Sequence, residues 1–492
     1  MFLRRLSSLG SAFLPRRHPA LCSASSPSVP QVVPAPHPWW SVQGFPPWPP
    51  RLPHTHPPAR QVFTGRTLHP HNINHGNFGR SCRSFSTCGG LLMERSGRDR
   101  EPPQKRRKTL HRHWESSPFC STYPQPPGVS AAFDFSVMSY NILSQELLQD
   151  NDYLYKHCDP AVLPWEYRLP NLLTEIQQLD ADILCLQEVQ EDHYENQIKP
   201  ALQRLGYQCE YKKRTGRKPD GCAIIFKSSR LSLLSSNPVE FLRPSDALLD
   251  RDNVGLVVLL RPNHASNQSD PSAFICVANT HLLYNPRRGD IKLAQLAILL
   301  AEISRLSRLP DGSTNPVVLC GDFNSTPWSP LYSFLTTGCL DYRGLPIGMV
   351  SGQENVPRAQ RLLTSPIWSQ SLGINHQCQY ENRPTADSSP TCPSARIEHG
   401  LKLQSTYQHH LMPDGRPEIT TCHSRTAITV DYILFTPEVT SPPSCPGGGG
   451  GLQLLGRLSL VGQPELQEVN SLPNQHHSSD HLPLLARFRF RR

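Results

Sequence analysis

Apolar and polar residues are regularly spaced from about residue 131 onwards, and the spacing predicts strands and helices. "FDFSVMSYNIL" (133–143) alternates apolar and polar side chains, as expected of a strand. Short apolar runs predict further strands at 181–189, 220–227, 254–262, 272–283, 315–324, 427–435 and 481–490. Leucine and isoleucine recur at helical spacing in 165–180 and 289–306, which predicts amphipathic helices, the second capped by Asp290. A third helix is predicted over 193–207, interrupted near Pro200.

The order of these elements predicts an α/β fold. Strands and helices are mixed without strict alternation, and several strands follow one another with no helix between them. This order favours two packed mixed sheets flanked by helices over a doubly wound parallel sheet. Within the region, 351–400 is polar with scattered prolines and 441–451 ends in consecutive glycines, so both are predicted to be flexible insertions.

Residues 1–130 show neither the strand spacing nor the helix spacing of apolar residues. They are rich in proline, and their first acidic residue is Glu94. They hold 17 Lys and Arg against 4 Asp and Glu, a net +13, whereas the whole chain carries +9, so 131–492 carries about −4. A basic, proline-rich segment without periodicity is predicted to be disordered, with a catalytic domain over 131–492. The same count argues against a basic nucleic-acid-binding surface on the folded part.

The N-terminal sequence leaves the compartment open. "MFLRRLSSLGSAFLPRRHPALCSASS" is rich in Arg and Ser and lacks acids, which suits a mitochondrial presequence or a basic tail. The basic cluster at 105–108 could be a nuclear address, an RNA-phosphate contact or a solvated tail. No run of 18 apolar residues is present, so no membrane span is predicted. The 15 cysteines include no C-x-x-C pair, which favours a reducing, intracellular compartment: cytoplasm or nucleus, with mitochondria as the alternative.

Polar residues follow the apolar part of several predicted strands. They are Asn141, Glu188, His281, Asp322 with Asn324, and Asp431, and the pair Asp480 and His481 precedes the last strand. Side chains two apart on a strand face the same side, so Asp322 and Asn324 are expected to face one site. A single Asp at a strand end is more often a turn residue. The whole set, however, predicts one site on the rim where the strands end.

The residue types in this set favour metal chemistry. Carboxylates, amides and imidazoles suit a hard cation with oxygen ligands, and Mg²⁺ fits best, with Mn²⁺ as the alternative. No Ser or Cys nucleophile with a paired base is found among these residues. The predicted reaction is therefore metal-assisted hydrolysis of a phosphoester by water, without a covalent intermediate.

Several motifs resemble the exonuclease–endonuclease–phosphatase superfamily. They are "MSYNIL", "CLQEV", "NTHLL", "CGDFNSTPWSPLY", "TVDYI" and "SSDHLPLL". Three further motifs resemble the angel proteins, which belong to the nocturnin and deadenylase branch of that superfamily. They are "RTGRKPDGCAI", "LLDRDNVGLV" and "NPRRGDIKLAQLA". The resemblance covers about 131–492 and implies a four-layered α/β sandwich like that of deoxyribonuclease I. It also implies a Mg²⁺-dependent hydrolase at RNA 3′ ends, removing 2′,3′-cyclic phosphates or acting as a 3′–5′ exoribonuclease in mRNA processing.

The resemblance assigns the metal-binding and water-activating residues. Glu188 would be the principal metal ligand, Asn141 would support the metal or the phosphate, and Asp480 would lie next to the metal. Asp322 would orient or activate the attacking water, and Asn324 would bind the scissile phosphate.

The resemblance also assigns the imidazoles. His481, oriented by Asp431, would stabilise the phosphate oxygens, and His281 would contact the phosphate or the leaving group.

The expected substrate contacts are less well defined. Deadenylases of this branch commonly carry an aromatic residue shortly before the "DYI" strand to stack on adenine, whereas this chain has His423 and Arg425 there. A guanidinium or imidazole plane can also stack on a base, so both are substrate-binding candidates. Arg287 and Arg288 are candidates for holding an RNA terminus, with a solvated loop as the alternative.

Two other functions compete with RNA-end hydrolysis. One is a phosphatase of the same fold that acts on a small molecule, and the other is a catalytically weak scaffold in mRNA regulation. None of the eight site residues is missing, which disfavours the scaffold. The expected partners are RNA 3′ ends, together with mRNA 3′-UTRs and regulatory proteins bound by the N-terminal tail. We expect a monomer that does not bind membranes.

Overall fold

A computed structural model of the chain describes residues 109–117, 132–263, 273–354, 361–381, 395–438 and 451–491. The predicted presequence, the basic cluster at 105–108 and most of the glycine-rich segment 441–451 lie outside these ranges. Within them, no helix is both long enough and apolar enough to cross a bilayer.

The described ranges contain seventeen strands. In chain order they are Trp114–Ser116 (β1), Phe133–Asn141 (β2), Ile183–Gln190 (β3), Tyr207–Lys213 (β4), Asp220–Lys227 (β5), Leu231–Glu240 (β6), Val254–Pro262 (β7), Ile275–His281 (β8), Val317–Asp322 (β9), Cys339–Asp341 (β10), Arg396–Glu398 (β11), Gln404–Ser405 (β12), Thr421–His423 (β13), Thr426–Ile428 (β14), Asp431–Phe435 (β15), Leu452–Leu458 (β16) and Leu484–Phe490 (β17).

Two mixed sheets hold most of these strands. The first has the order β1-β16-β17-β2-β3-β5-β4, in which β2 and β3 run parallel and the other neighbours antiparallel. The second has the order β12-β15-β9-β8-β7-β6, with β8 and β9 as its parallel pair. The pairs β10-β11 and β13-β14 form small separate sheets. Strands β4, β6 and β16 and most of the short strands were not predicted from the sequence.

Seven α-helices lie in the described ranges. They are Gln145–Asp150 (α1), Trp165–Leu179 (α2), Glu191–His193 (α3), Lys199–Arg204 (α4), Gly289–Ser307 (α5), Pro330–Thr337 (α6) and Gln463–Glu468 (α7). The predicted helices at 165–180 and 289–306 agree with α2 and α5 to within one residue. A π-helical turn at Tyr194–Ile198, and not Pro200, interrupts the third.

Central strands such as β8 and β9 are buried on both faces, which explains their continuous apolar runs. In β9, Val318 and Cys320 pack between the two sheets, whereas Val317 and Leu319 pack in the cluster that contains α5 and α6. The outer face of the first sheet packs on α2 and α4 in the same way. The result is four layers, helix–sheet–sheet–helix, so the predicted α/β sandwich is confirmed.

Helix α5 is buried along almost its whole length, so the prediction of an amphipathic helix is wrong. Leu363, Trp368 and Ile374 belong to the same buried hydrophobic cluster as this helix. The described parts of 351–400, predicted as a flexible insertion, therefore contribute to the core. The predicted cap is also wrong. The N-cap residue is Arg288, and Asp290 instead forms two hydrogen bonds of 3.0 Å with its guanidinium.

Residues 109–117, assigned to the disordered tail from the sequence, form an edge of the first sheet. Strand β1 pairs with β16. Arg112 donates to the carbonyl oxygens of Ser459 and Pro483, both at 2.7 Å. Residues 109–117 are therefore part of the first sheet and not of a disordered tail.

Candidate active site

The predicted site residues come from both sheets and meet at one rim. Asn141, His281 and Asp322 are the last residues of β2, β8 and β9. Asp431 is the first residue of β15, contrary to the expectation that it ends a strand over 427–435. Since β15 is antiparallel to β9 and Asp431 lies opposite Asp322, both residues still reach the same rim.

Glu188 lies at a β-bulge inside β3 and not at the end of a strand, as the sequence had suggested. The pairing with β5 shifts register between Leu186 and Val189, and Glu188 has a left-handed φ of 54°. A bulge re-aims a side chain, and such a backbone conformation is costly for Glu. The carboxylate is held by the Asn141 side-chain amide and the Ser144 backbone N–H, both at 3.1 Å.

A turn after β9, and not the two-residue period of a strand, brings Asp322 and Asn324 together. The prediction that both side chains face one side of a strand is therefore wrong. Strand β9 ends at Asp322, and Asn324 has a left-handed φ of 47°. The Asn324 backbone N–H then donates to Asp322 Oδ1 at 2.9 Å. The residue before this turn, Gly321, must be glycine, because a Cβ atom there would lie 2.2 Å from the Thr280 carbonyl oxygen of β8.

His481 and Asp431 form a buried pair. Asp431 Oδ2 accepts from His481 Nδ1 at 2.8 Å and from Thr420 Oγ1 at 2.6 Å. Burial alone would lower the pKa of His481, but the carboxylates of Asp431, Asp480 and Asp322 raise it well above its ordinary value. These carboxylates favour the protonated imidazole, whose Nε2 lies 3.8 Å from Asp322 Oδ2 and 4.0 Å from Asp480 Oδ1.

His281 faces the other side of the carboxylates. Its Nε2 lies 3.5 Å from Asp322 Oδ2, and its Nδ1 lies 3.9 Å from Glu188 Oε1. Burial lowers the pKa of His281, although the nearby Glu188 charge opposes this shift. The two imidazoles thus differ in their electrostatic surroundings.

Asp480 has a partner that sequence reasoning missed. The Tyr155 hydroxyl donates to Asp480 Oδ2 at 2.9 Å. Tyr155 lies in the loop after α1, and no pattern in the sequence connects it with a residue more than 300 positions away.

The donor set fits a divalent cation. Ligand atoms of Asp322, Asp431 and His481 lie within 4.8 Å of one another. Within the described ranges, Asp431 Oδ1 and Asp480 Oδ1 are buried without a hydrogen-bond partner. Burial raises the pKa of Glu188, and burial together with the Asp431 charge raises that of Asp322 to about 7. Such crowding of acidic groups is relieved by a bound cation.

The site opens into a cleft of about 460 Å³. Glu188, His281, Asp322, Asn324, Asp480 and His481 line it, together with the predicted substrate residues His423 and Arg425. Sequence reasoning missed Arg214, Gln353 and the tyrosines 153, 155 and 284 in the same lining. A larger cavity of about 580 Å³ contains none of the predicted residues and lies by the β1–β16 edge, so the chemistry points to the smaller one.

Arg287 and Arg288 do not line this cleft. The Arg287 side chain is 75% exposed and lies 3.5 Å from Glu354. Arg288 is paired with Asp290 through two hydrogen bonds. The structure therefore does not bring this predicted pair to the catalytic groups.

Residues 138–481 match the model of the Endonuclease/Exonuclease/phosphatase family. The chain belongs to this family. Protein angel homolog 2 of Danio rerio is 61% identical over 403 residues, which cover 77% of this chain and 69% of that protein. Protein angel homolog 2 of Homo sapiens is 54% identical over 428 residues, which cover 79% and 78% of the two chains.

A solved structure of the Endonuclease/Exonuclease/phosphatase family gives the same fold. It is the crystal structure of ANGEL2, a 2′,3′-cyclic phosphatase, in complex with adenosine-2′,3′-vanadate. That chain is 56% identical to this one, with a TM-score of 0.67, and the match covers 78% of this chain and 99% of the other. The family predicted from the motifs is therefore confirmed.

Proposed function

We propose that this chain is a Mg²⁺-dependent hydrolase that removes 2′,3′-cyclic phosphates from RNA 3′ ends. One observation carries the proposal. Acidic and imidazole groups meet in one cleft of a chain that is 56% identical, over 78% of its length, to a 2′,3′-cyclic phosphatase. The compartment and the regulatory partners of the N-terminal region stay predictions from the sequence.

The reaction requires two hydrolyses. In the first, a water oxygen bonds to phosphorus and one ring P–O bond breaks, which leaves a 2′- or 3′-phosphomonoester. In the second, another water releases inorganic phosphate and leaves the 2′,3′-diol. No covalent intermediate with the protein is needed, because water is the nucleophile in both steps.

Among the acidic groups, Glu188 and Asp480 are the residues that would hold the cation, because Asp431 is bound to His481 and Asp322 Oδ2 faces the two imidazoles. The Asn141 amide donates to Glu188 Oε1 at 3.1 Å and to Asp322 Oδ2 at 3.2 Å, so it orients both carboxylates and does not ligate through this nitrogen. A bound divalent cation offsets the negative charge and polarises a phosphoryl oxygen. The buried Asp480 Oδ1, which lacks a hydrogen-bond partner among the described residues, supports this assignment.

The remaining residues position water and phosphate. Asp322 Oδ1 is held by the Asn324 N–H, whereas Oδ2 faces both imidazoles and can accept a proton from water. Because Asp431 binds Nδ1 of His481, the Nε2–H of that ring is left to donate to a phosphate oxygen. His281, on the opposite side of Asp322, would contact the leaving oxygen.

The test uses the full-length chain with Mg²⁺ and two RNAs of one sequence. One RNA ends in a 2′,3′-cyclic phosphate and the other in an oligo(A) 3′-hydroxyl. We expect the first to become a hydroxyl end without shortening, and the second to stay intact. Asp322→Asn should abolish turnover, whereas Glu195→Gln, an exposed acid paired with Lys199, should not.

Other results would overturn the proposal. Progressive shortening of the oligo(A) RNA without attack on the cyclic end would identify an exoribonuclease. Absence of turnover on both RNAs, with a folded protein and Mg²⁺ present, would favour the scaffold.

A further inference from the structure

Lys292 is a fully buried lysine to which the proposed mechanism gives no role. It lies in α5, and its side chain is 0% exposed. Burial lowers its pKa to about 7, although the nearby Asp322 charge opposes the shift. Burying an ammonium group is costly unless its hydrogen bonds are satisfied, so its partners indicate its purpose.

The two partners of Lys292 both belong to the wall of the cleft. Nζ donates to the Asn324 carbonyl oxygen at 2.6 Å and to Gln353 Oε1 at 2.8 Å. Asn324 and Gln353 line the same cleft. One buried cation therefore joins the turn after β9 to the segment that carries Gln353.

This contact fixes which end of the Gln353 amide faces the cation. Nζ donates to Gln353 Oε1, and the protonated amine has donors and no acceptor, so Oε1 faces Lys292 and Nε2 points away from it. A cation at 2.8 Å also polarises the amide and makes its N–H groups better donors. Because Gln353 lines the cleft and its Oε1 is bound by Lys292, Nε2 is the atom of the amide left to donate to a ligand.

We propose that Gln353 is a specificity-determining residue whose Nε2 donates to a non-bridging oxygen of the terminal phosphoester, and that Lys292 positions it. The proposal rests on the proposed function and adds a phosphate contact to it. The three carboxylates that line the cleft, Glu188, Asp322 and Asp480, cannot donate to phosphate oxygens, so neutral and cationic donors of the lining must do so. Lys292 is a positioning residue, because it acts through Gln353 and Asn324.

The contact would distinguish phosphorylated from hydroxyl ends. A 3′-hydroxyl terminus has no terminal non-bridging phosphate oxygen for the amide to bind. A neutral amide donor also adds no charge to attract RNA unspecifically, unlike a surface arginine. Loss of Gln353 Nε2 should therefore reduce the preference for phosphorylated ends and leave binding of the rest of the RNA unchanged.

The first experiment measures kcat and KM of full-length variants on the cyclic-phosphate RNA. Gln353→Met removes the donor without adding charge, and we expect kcat/KM to fall about 10- to 100-fold. Gln353→Glu keeps a partner for Lys292 and should also lose activity. The matched control is Gln463→Met, since Gln463 Oε1 also accepts from a cation, Arg416, at 2.9 Å but lies outside the cleft.

Lys292→Met tests positioning. We expect this variant to lose about as much kcat/KM as Gln353→Met. The double variant should lose no more than the worse single variant, because both substitutions remove the same oriented amide donor. Additive losses would contradict this coupling. If Lys292→Met fails to fold, Gln353→Met and Gln353→Glu still decide the role of the amide.

A binding experiment separates this proposal from the proposed function. In the Asp322→Asn background, which blocks turnover, anisotropy compares RNA with a 3′-phosphate and RNA with a 3′-hydroxyl. Gln353→Met should remove most of the preference for the phosphate end. An unchanged preference, or a kcat/KM within about twofold of the parent, would overturn the role of Gln353 even if the protein is a cyclic phosphatase. A lost preference in a protein that hydrolyses neither RNA would support Gln353 and overturn only the proposed function.

Discussion

Asp431 holds His481 in a single orientation, with Oδ2 2.8 Å from Nδ1, although the residues lie 50 positions apart. The pair is buried, and Thr420 Oγ1 binds the same carboxylate oxygen at 2.6 Å. The pairing leaves Nε2 of the imidazole turned towards the other carboxylates of the cleft. The orientation of this imidazole ring therefore depends on the relative position of the two sheets.

Asp431→Asn should reduce kcat about a hundredfold or more and lower the free energy of unfolding by about 1–3 kcal/mol. The amide has nearly the same volume but no charge, so it no longer stabilises the imidazolium. Steady-state kinetics and urea denaturation check the two parts. A variant with parental kcat would show that the orientation and charge of His481 do not limit the reaction.

Glu188→Gln should remove the effect of Mg²⁺ on stability. A cation that binds the folded protein and not the unfolded chain raises Tm in a concentration-dependent way. We expect Mg²⁺ to raise the Tm of the parent and EDTA to reverse the change, and the variant to respond to neither. Because the readout is thermal unfolding, it does not depend on turnover. An equal Mg²⁺ shift in the variant would place the ion elsewhere.

Much of the site could be predicted from the sequence because polar residues that end buried strands have no packing purpose there. Asn141, His281 and Asp322 are such residues, and the structure places them as the pattern suggested. Glu188 and Asn324 reach the site by left-handed backbone conformations, which a period of two cannot reveal. Tyr155 and Gln353 come from loops whose position depends on the finished fold.

The layers of the fold were easier to predict than its edges. Continuous apolar runs identify central strands such as β8 and β9 because both of their faces are buried. Strand β1 is short, and its residues are mostly exposed, so hydrophobicity gave no signal. Its position depends on pairing with β16 and on contacts of Arg112, which are long-range hydrogen bonds without a local pattern.

Arg112→Gln should destabilise the chain by about 1–3 kcal/mol, because it removes charged hydrogen bonds to two partly buried carbonyl groups. These carbonyls belong to Ser459 and Pro483, in the segments beside β16 and β17. Urea denaturation measures the change. Arg343→Gln is the control, because that side chain is 79% exposed. Equal stability of the two variants would contradict the view that 109–117 is part of the folded unit.

His409 gives the chain a defined sensitivity to acid. The imidazole is buried, its Nε2 lies 3.1 Å from Ser405 Oγ, and it packs edge-on against the rings of Tyr332 and Tyr432. Burial, and next the charge of Arg457, lower its pKa to about 4. Between about pH 6.5 and pH 4 the unfolded chain thus binds a proton that the folded chain does not.

The contribution of His409 to the free energy of unfolding should therefore fall as the pH is lowered from about 6.5 to about 4, by at most about 1.4 kcal/mol per pH unit. His409→Gln keeps a polar partner for Ser405 but cannot titrate, so its unfolding free energy should fall less steeply over this range. Urea denaturation at several pH values gives both slopes. His410→Gln, which replaces the exposed neighbouring histidine, should keep the parental slope. Equal slopes for the parent and His409→Gln would show that other groups cause the acid sensitivity.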